Sequence, residues 1–238
     1  PLIADHELIV SVGDWVIDAA LAQMRQWRTE GINIRVSVNV AGRQLQHKDF
    51  VERVQTAIGR YAEVATQLEL EVLETTALED IAKASRVIKA CGALGVRVAL
   101  DDFGTGYSSL TYLKRLPADV IKIDQSFVRE MLVSVDDLVI VEGVLGLARA
   151  FQREVVAEGV ETTEHARLLL QLECEQAQGY GIARPMPAAD LAPWIRGWRP
   201  EASWSAFRAL RWDSADYPLL GAEVEHRSWI SNLLVAVR

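Results

Sequence analysis

The chain has 238 residues, half of them hydrophobic, and its 33 Asp and Glu outnumber its 25 Lys and Arg to give a formal net charge of −8. This length and composition allow one large domain, or a domain with an appendage, around a sizeable core. The acidic balance argues against a general binder of nucleic-acid polymers or anionic membranes.

The sequence carries no sign of secretion or of a membrane segment. It has no run of eighteen apolar residues and no signal peptide, and its two cysteines, Cys91 and Cys174, lack the spacing of a zinc site or a disulfide framework. We therefore expect a cytoplasmic location without membrane contact, alone or as the cytoplasmic part of a larger, membrane-tethered protein. The chain begins at Pro1 within a helical pattern, and we expect it to be a fragment.

The predicted elements alternate between short strands and amphipathic helices. Residues 32–40 alternate apolar and polar side chains and predict a first strand that ends near Asn39. Further strands are predicted at 68–72, 96–100, 120–123, 155–157 and near 176–178. Helical patterns lie between them, for example at 15–27, 80–94, 137–151 and 163–172.

Strands that are joined by helices form parallel sheets. Six such units are two fewer than a closed eight-stranded α/β barrel contains. An open doubly wound sheet is the alternative, but no Gly-x-Gly-x-x-Gly turn follows the first strand. We predict a modified TIM-type (β/α)8 barrel over residues 1–199 whose first strands precede Pro1. Residues 200–238 are rich in Trp and are predicted to form a helical C-terminal extension.

Polar residues lie at the carboxyl ends of these predicted strands, the edge at which α/β barrels assemble their active sites. Two of them, Asp101 and Asp102, are adjacent carboxylates, which repel each other unless a proton or a cation lies between them. Any single member could be a helix cap or a surface group, but the set as a whole favours a site. Its members are Asn39, Glu71, Asp101, Asp102, Lys122, Glu158 and Gln178.

The chemistry of this set favours divalent cations. Oxygen ligands suit Mg²⁺ or Mn²⁺ better than Zn²⁺, and no histidine lies at a predicted strand end. Carboxylates that hold two such ions commonly hydrolyse phosphate esters, because the ions activate a water and neutralise charge on the phosphoryl oxygens. Lys122 adds a fixed positive charge. A Schiff-base lysine, as in barrel aldolases, is the rival interpretation of Lys122, and it does not require so many carboxylates.

Four segments form a characteristic series: Asp-Asp-Phe-Gly-Thr-Gly-Tyr-Ser-Ser at 101–109, Lys-Ile-Asp-Gln-Ser-Phe at 122–127, Ala-Glu-Gly-Val-Glu at 157–161 and Gln-Gly-Tyr at 178–180. Together with Ser-Val-Asn at 37–39, Arg43-Gln44 and Glu-Val-Leu-Glu at 71–74, this series resembles the EAL-domain family over about residues 1–197. Members of that family are phosphodiesterases of the bacterial second messenger cyclic di-GMP.

The resemblance implies a metal-dependent enzyme that hydrolyses cyclic di-GMP to linear pGpG with two Mg²⁺ or Mn²⁺ ions. Calcium is expected to inhibit, because its looser coordination poorly replaces octahedral magnesium geometry. The metal ligands that the resemblance implies are Asn39, Glu71, Asp101, Asp102 and Glu158.

The resemblance also implies roles for residues around the metals. Lys122 would hold the attacking water or a phosphate, and Glu158 would ligate the second metal or act as the general base. Support of the site is implied for Gln178, Glu74, Glu161, Arg43 and Gln44. A glycine-containing loop would couple dimerisation to metal binding, and its residues are Phe103, Gly104, Thr105, Gly106, Tyr107, Ser108 and Ser109.

The implied partners are cyclic di-GMP, a second copy of the chain in a homodimer, and sensory or GGDEF domains upstream in the full protein. The Glu-Ala-Leu motif that names the family, whose glutamate ligates metal, does not occur in this chain. A catalytically inactive EAL module that binds cyclic di-GMP as a receptor therefore stays open, as does a barrel used for protein–protein contacts. The retained carboxylates favour the enzyme.

Overall fold

The structure is a computed structural model that describes residues 6–106 and 110–200. Within these residues six strands form one parallel sheet in the order β1 to β6. The strands are β1 Val36–Val40, β2 Leu68–Leu73, β3 Arg97–Phe103, β4 Val120–Ile123, β5 Glu154–Ala157 and β6 Gln176–Ala177.

Helices connect successive strands, and a single 3₁₀ turn, Ala65–Gln67, precedes β2 in this part of the chain. The helices are α1 Leu8–Thr29, α2 Gly42–Leu45, α3 Phe50–Arg60, α4 Glu74–Glu79, α5 Ile81–Ala93, α6 Leu110–Arg115, α7 Gln125–Glu130, α8 Val135–Ala150, α9 Thr163–Gln171 and α10 Ala188–Gly197. Among the described helices, none combines the length and the hydropathy that crossing a bilayer requires.

The sheet curls into a half-barrel, so that side chains two strands apart meet on its inner face. Lys122 on β4 contacts Glu71 on β2, and Arg97 on β3 contacts Glu154 on β5. The opposite faces of the strands pack against the helices in one continuous hydrophobic core. The predicted barrel-type fold is confirmed, with six parallel strands in the described residues.

Most predicted elements lie within one or two residues of the observed ones, and three, the first strand, helix α1 and strand β3, differ by more. The first strand begins at Val36, yet Ile32 and Ile34 are buried in the core because the segment that enters the sheet packs beneath it. Helix α1 begins at Leu8, seven residues before the predicted start at 15. The predicted extension at 201–238 lies outside the described residues.

Strand β3 is longer than the predicted strand at 96–100. It continues through both aspartates because its pairing with β2 reaches Asp101 and its pairing with β4 reaches Phe103. The register with β4 shifts between Leu100 and Phe103, where Asp102 takes a left-handed φ of 53°. Phe103, which the sequence assigned to the loop, ends the strand and is buried in the core.

Side chains begin several helices at defined residues. Asp80 accepts a hydrogen bond from the backbone N–H of Lys83 at the start of α5, and Thr162 accepts one from His165 at the start of α9. The Asp80 cap lies between α4 and α5, and the Thr162 cap ends the loop that follows β5, so each helps to set where its helix begins.

The close packing of α1 on α2 at Gly13 gives a test of the fold. Alanine at Gly13 would gain about 1 kcal/mol of helix propensity, but its Cβ would overlap the side chain of Gln44, which is 1% exposed. Overpacking costs about 1–3 kcal/mol, so we expect Gly13→Ala to lower the free energy of unfolding, measured by urea denaturation. The matched control is Gly146→Ala in α8, where a Cβ meets nothing within 4 Å. A Gly13→Ala protein as stable as the control variant would contradict this packing.

Candidate active site

Parallel register aligns the polar residues at the carboxyl edge of the sheet. Asn39 on β1 pairs with Glu71 on β2, and Glu71 pairs with Ala99 on β3. Side chains two residues apart in a strand share a face, so Asp101 lies on the same inner face as Ala99, one step further along. The strands therefore present these groups to one region.

Lys122 is the centre of this region. Its Nζ lies 2.9 Å from Oε1 of Glu71, 2.8 Å from Oδ1 of Asp101 and 2.6 Å from Oε1 of Glu158. The lysine is only 3% exposed, and the four residues of β4 are all buried. One ammonium group thus meets carboxylates from β2, from β3 and from the end of β5.

Burial and charge act against each other on these groups. Burial lowers the pKa of Lys122, but the three carboxylates outweigh it and raise that pKa above its ordinary value. Burial raises the pKa of Glu71, with Lys122 opposing the rise and Asp101 adding to it. For Glu158 the same balance, with burial as its largest cause, raises the pKa to about 7.

Asp124 is a site residue that the sequence analysis missed. It follows β4 and accepts hydrogen bonds from the backbone N–H of Ser126, at 2.9 Å, and from the hydroxyl of Ser126. Although burial alone would raise it, the pKa of Asp124 is lowered by these bonds and by one from Asp102. Burial, Asp101 and Asp124 together raise the pKa of Asp102. The available signal was its position directly after Lys122-Ile123 at a strand end.

The residues present fit a divalent cation. One oxygen each from Asp101, Asp102 and Glu158 lie within 4.8 Å of one another. Glu71 offers a further oxygen, Oε2, which is buried and has no hydrogen-bond partner among the described residues. Asn39 is exposed at the end of β1, level with Glu71. A donor set made only of carboxylate and amide oxygens suits Mg²⁺ or Mn²⁺.

Two of the predicted supporting residues contact the site. Oε2 of Glu74 accepts a hydrogen bond from the backbone N–H of Gly104 at 3.0 Å, which ties α4 to the start of the loop. Nε2 of Gln178 donates to Oε1 of Glu158 at 3.2 Å. In the loop, Thr105 donates its backbone N–H and hydroxyl to the carbonyl of Asp102.

Three further residues were predicted to support the site. Glu161 forms an ion pair of 2.9 Å with Arg129, and both line the cavity that also includes Glu158. Gln44 is buried against Gly13, and Arg43 lies exposed on α2. Loop residues 107–109 lie outside the described residues.

A cavity of about 270 Å³ adjoins the acidic site and includes Glu158 and Gln178 in its wall. Tyr180 and Arg184 also line the cavity, and the guanidinium carbon of Arg184 lies 4.8 Å from the Tyr180 ring centroid. Arg184 lies six residues beyond Gln178, away from any predicted strand end, so the strand-end pattern did not point to it. An aromatic ring and a cation beside the carboxylates suit a ligand that has both planar rings and phosphates.

Relatives of this chain are named for cyclic di-GMP turnover. MucR of Pseudomonas aeruginosa, a "bifunctional diguanylate cyclase/cyclic di-GMP phosphodiesterase", is 42% identical over 192 residues, which cover 80% of this chain and 28% of MucR. The cyclic di-GMP phosphodiesterase NbdA of the same organism is 36% identical over 197 residues, 82% of this chain and 25% of NbdA. The chain thus spans less than a third of the length of either relative.

Solved structures of similar proteins share the fold of this chain. The MucR phosphodiesterase in complex with cyclic di-GMP superposes with a TM-score of 0.77 at 42% identity and covers 80% of this chain and 78% of that one. The EAL domain of Mycobacterium smegmatis DcpA superposes with a TM-score of 0.76 at 38% identity, over 82% of this chain and 88% of that one. The family model described as "EAL domain" matches residues 1–185. The chain belongs to the EAL domain family.

Proposed function

We propose that this chain is the catalytic domain of a metal-dependent phosphodiesterase that hydrolyses cyclic di-GMP to linear pGpG. The observation that carries the proposal is the meeting of Glu71, Asp101 and Glu158 around Lys122 within 2.9 Å at the carboxyl edge of the sheet. The names of MucR and NbdA support the choice of substrate.

Two divalent ions, Mg²⁺ or Mn²⁺, would be held by the carboxylates together with Asn39, and they would supply an activated water and neutralise phosphoryl charge. Lys122 stays protonated at neutral pH, because its pKa is raised, and would hold a phosphate oxygen or the attacking water. Without metal, burial raises the pKa of Glu158 to about 7, and in the enzyme Glu158 would either ligate the second metal or accept a proton as the general base. Gln178 orients Glu158 through their hydrogen bond.

The cavity beside Glu158 would receive the rest of the substrate. A guanine base could stack near Tyr180, while Arg184 could pair with a phosphate. This arrangement would place a phosphodiester bond at the carboxylates and Lys122, because the cavity and the acidic cluster share Glu158.

We further propose a cytoplasmic homodimer, with sensory or GGDEF domains upstream in the full protein. A group of exposed apolar side chains in the turn after α7 and in the first part of α8 gives a dimer a surface to bury. Its members are Leu132, Val133, Val135, Val139 and Ile140. The bond from Gly104 to Glu74 offers a route by which loop 103–109 could couple dimerisation to the site.

Turnover separates an enzyme from a receptor. The protein is incubated with cyclic di-GMP and Mg²⁺ or Mn²⁺, and linear pGpG is quantified by chromatography. Accumulation of pGpG supports the proposal. Binding of cyclic di-GMP without product would favour the catalytically inactive receptor.

Substitutions in the cluster should abolish this turnover. We expect Asp101→Asn, Glu71→Gln and Lys122→Met each to lower the pGpG production rate at least about a hundredfold, because each removes a charge at the reacting phosphate. The matched control is Glu173→Gln, which removes an exposed ion pair with Arg149 and should leave the rate unchanged. Retention of full activity by any folded member of the three would refute the assigned site.

The identity of the ion gives a second test. Mg²⁺ and Mn²⁺ should each support turnover, whereas added Ca²⁺ should inhibit it, because Ca²⁺ prefers more ligands at longer distances. The measurement is the rate of pGpG formation at fixed Mg²⁺ with increasing Ca²⁺. Full activity with Ca²⁺ alone would argue against a two-ion Mg²⁺ or Mn²⁺ site.

The pH dependence of folding stability tests the raised pKa of Glu158. Its folded-state pKa of about 7 exceeds the ordinary value of 4.5, so the folded state binds more protons than the unfolded state between these two values. The stability that this group contributes should therefore fall as pH rises through that window, by about 2–3 kcal/mol between pH 5 and 8. We expect Glu158→Gln to lose this fall in urea denaturation with EDTA, whereas exposed Glu175→Gln should keep it. Parallel pH profiles for wild type and Glu158→Gln would contradict the raised pKa.

A further inference from the structure

A second group of polar side chains lies at the amino ends of the same strands. Ser37 donates its hydroxyl to Oε1 of Glu69 at 2.9 Å, and Nε of Arg97 lies 3.5 Å from Oε2 of Glu69. Arg97 also donates from Nη1 to Oε1 of Glu154 at 2.7 Å, and Gln176 donates to the other oxygen of Glu154 at 3.0 Å. We call these residues the basal network: Ser37, Glu69, Arg97, Glu154 and Gln176.

The basal network joins five strands through side chains alone. Arg97 begins β3, Glu154 begins β5 and Gln176 begins β6, while Ser37 and Glu69 are the second residues of β1 and β2. The bond from Arg97 to Glu154 crosses β4, which lies between them in the sheet. Each of these five strands leads to a residue of the proposed site, in order Asn39, Glu71, Asp101, Glu158 and Gln178.

No described hydrogen bond or ion pair joins the network to the site, although the charge of Glu69 helps to raise the pKa of Glu71. A small apolar cluster of Ala99, Val120 and Val156, fully buried, separates the two polar levels on the inner face. The side chain of Glu69 is 1% exposed and that of Arg97 is 21% exposed, whereas that of Glu154 is 42% exposed, so the pair of Glu69 and Arg97 is the buried part of the network. Buried ion pairs often stabilise a fold no better than apolar residues of similar volume, although they can specify a unique arrangement. We therefore expect the network to specify how the strands are arranged, and not to add stability to the fold.

We propose that the basal network positions the site by fixing the spacing of β2, β3 and β5. Nε of Arg97 lies 3.5 Å from Oε2 of Glu69 without a hydrogen bond, and Nη1 of Arg97 donates to Glu154, so one planar side chain on β3 meets carboxylates from β2 and β5. Asp101 and Glu158 lie four residues further along β3 and β5, about 13 Å away. Arg97, Glu69 and Glu154 are positioning residues, and their effect on metal binding rests on the proposed function.

The decisive variant is the double substitution Glu69→Met/Arg97→Met in the intact protein. It replaces the charged pair with apolar side chains, so thermal stability should equal or exceed that of wild type. Mn²⁺ affinity, measured by calorimetry, should nevertheless weaken about tenfold, and amide hydrogen exchange should quicken at 100–106 and 157–161. Recovery of wild-type Mn²⁺ affinity and exchange along with stability would show that the network is only structural and would overturn the proposal.

A milder variant covers the case in which the double variant does not fold. Lysine at Arg97 keeps the charge but cannot contact both carboxylates in one plane, so Arg97→Lys should weaken Mn²⁺ binding severalfold and quicken the same amides. Wild-type behaviour of Arg97→Lys would overturn the proposal, because charge alone would then suffice.

Two further measurements isolate the cause. Arg149→Met removes an arginine of an exposed ion pair with Glu173 and should change neither Mn²⁺ affinity nor exchange at the site. Failure of wild type to bind Mn²⁺ would count against the proposed function alone. Hydrogen exchange would then still decide the positioning role, because it needs no metal: faster exchange at 100–106 and 157–161 supports it, and unchanged exchange refutes it.

Discussion

The buried ammonium group of Lys122 is the interaction on which the site depends. Three carboxylates that approach one another repel strongly in a poorly solvated region, and each would shift toward its neutral form. The ammonium lies within 2.9 Å of Glu71, Asp101 and Glu158 and so allows them to meet. Because β4 lies inside the sheet, with β2 and β3 on one side and β5 on the other, the lysine reaches groups from both directions.

One lysine does not fully offset the repulsion among these carboxylates. The unfavourable electrostatics and backbone strain that remain lie where the chemistry can occur. The raised pKa of Glu158 and the left-handed backbone of Asp102 are both unfavourable for folding. Such features persist where the surrounding structure enforces them, and here the surroundings are a parallel sheet with buried strands. The apolar cluster beneath the site separates these unfavourable features from the other end of the half-barrel.

The sequence predicted what depends on local pattern. Strand positions follow from apolar periodicity, and the residues at strand ends follow from the strands, so Lys122 and its carboxylates could be named in advance. Contacts between strands that are not neighbours depend on curl and register, which no local pattern encodes. Glu69 shows the difference: Leu-Glu-Leu-Glu-Val is typical of a strand with one solvated face, yet Glu69 is 1% exposed because that face lines the half-barrel. Asp124 was missed for a related reason, since its role depends on its contact with Asp102.

A comparison of the two polar levels explains why a cation site belongs at one of them. At the amino end, two arginines, Arg35 and Arg97, lie beside Glu69 and Glu154, and Arg97 also interacts with the charge of Asp119, so two cations face three carboxylates. At the carboxyl end, Lys122 faces a larger set of carboxylates, which comprises Glu71, Asp101, Asp102, Asp124 and Glu158. The same chain thus offsets most of the carboxylate charge with arginines at the end where it only has to hold strands together. Where the strands end beside a cavity, it leaves more carboxylates than cations. This excess of negative charge is the physical requirement for binding divalent ions and a phosphate ester together.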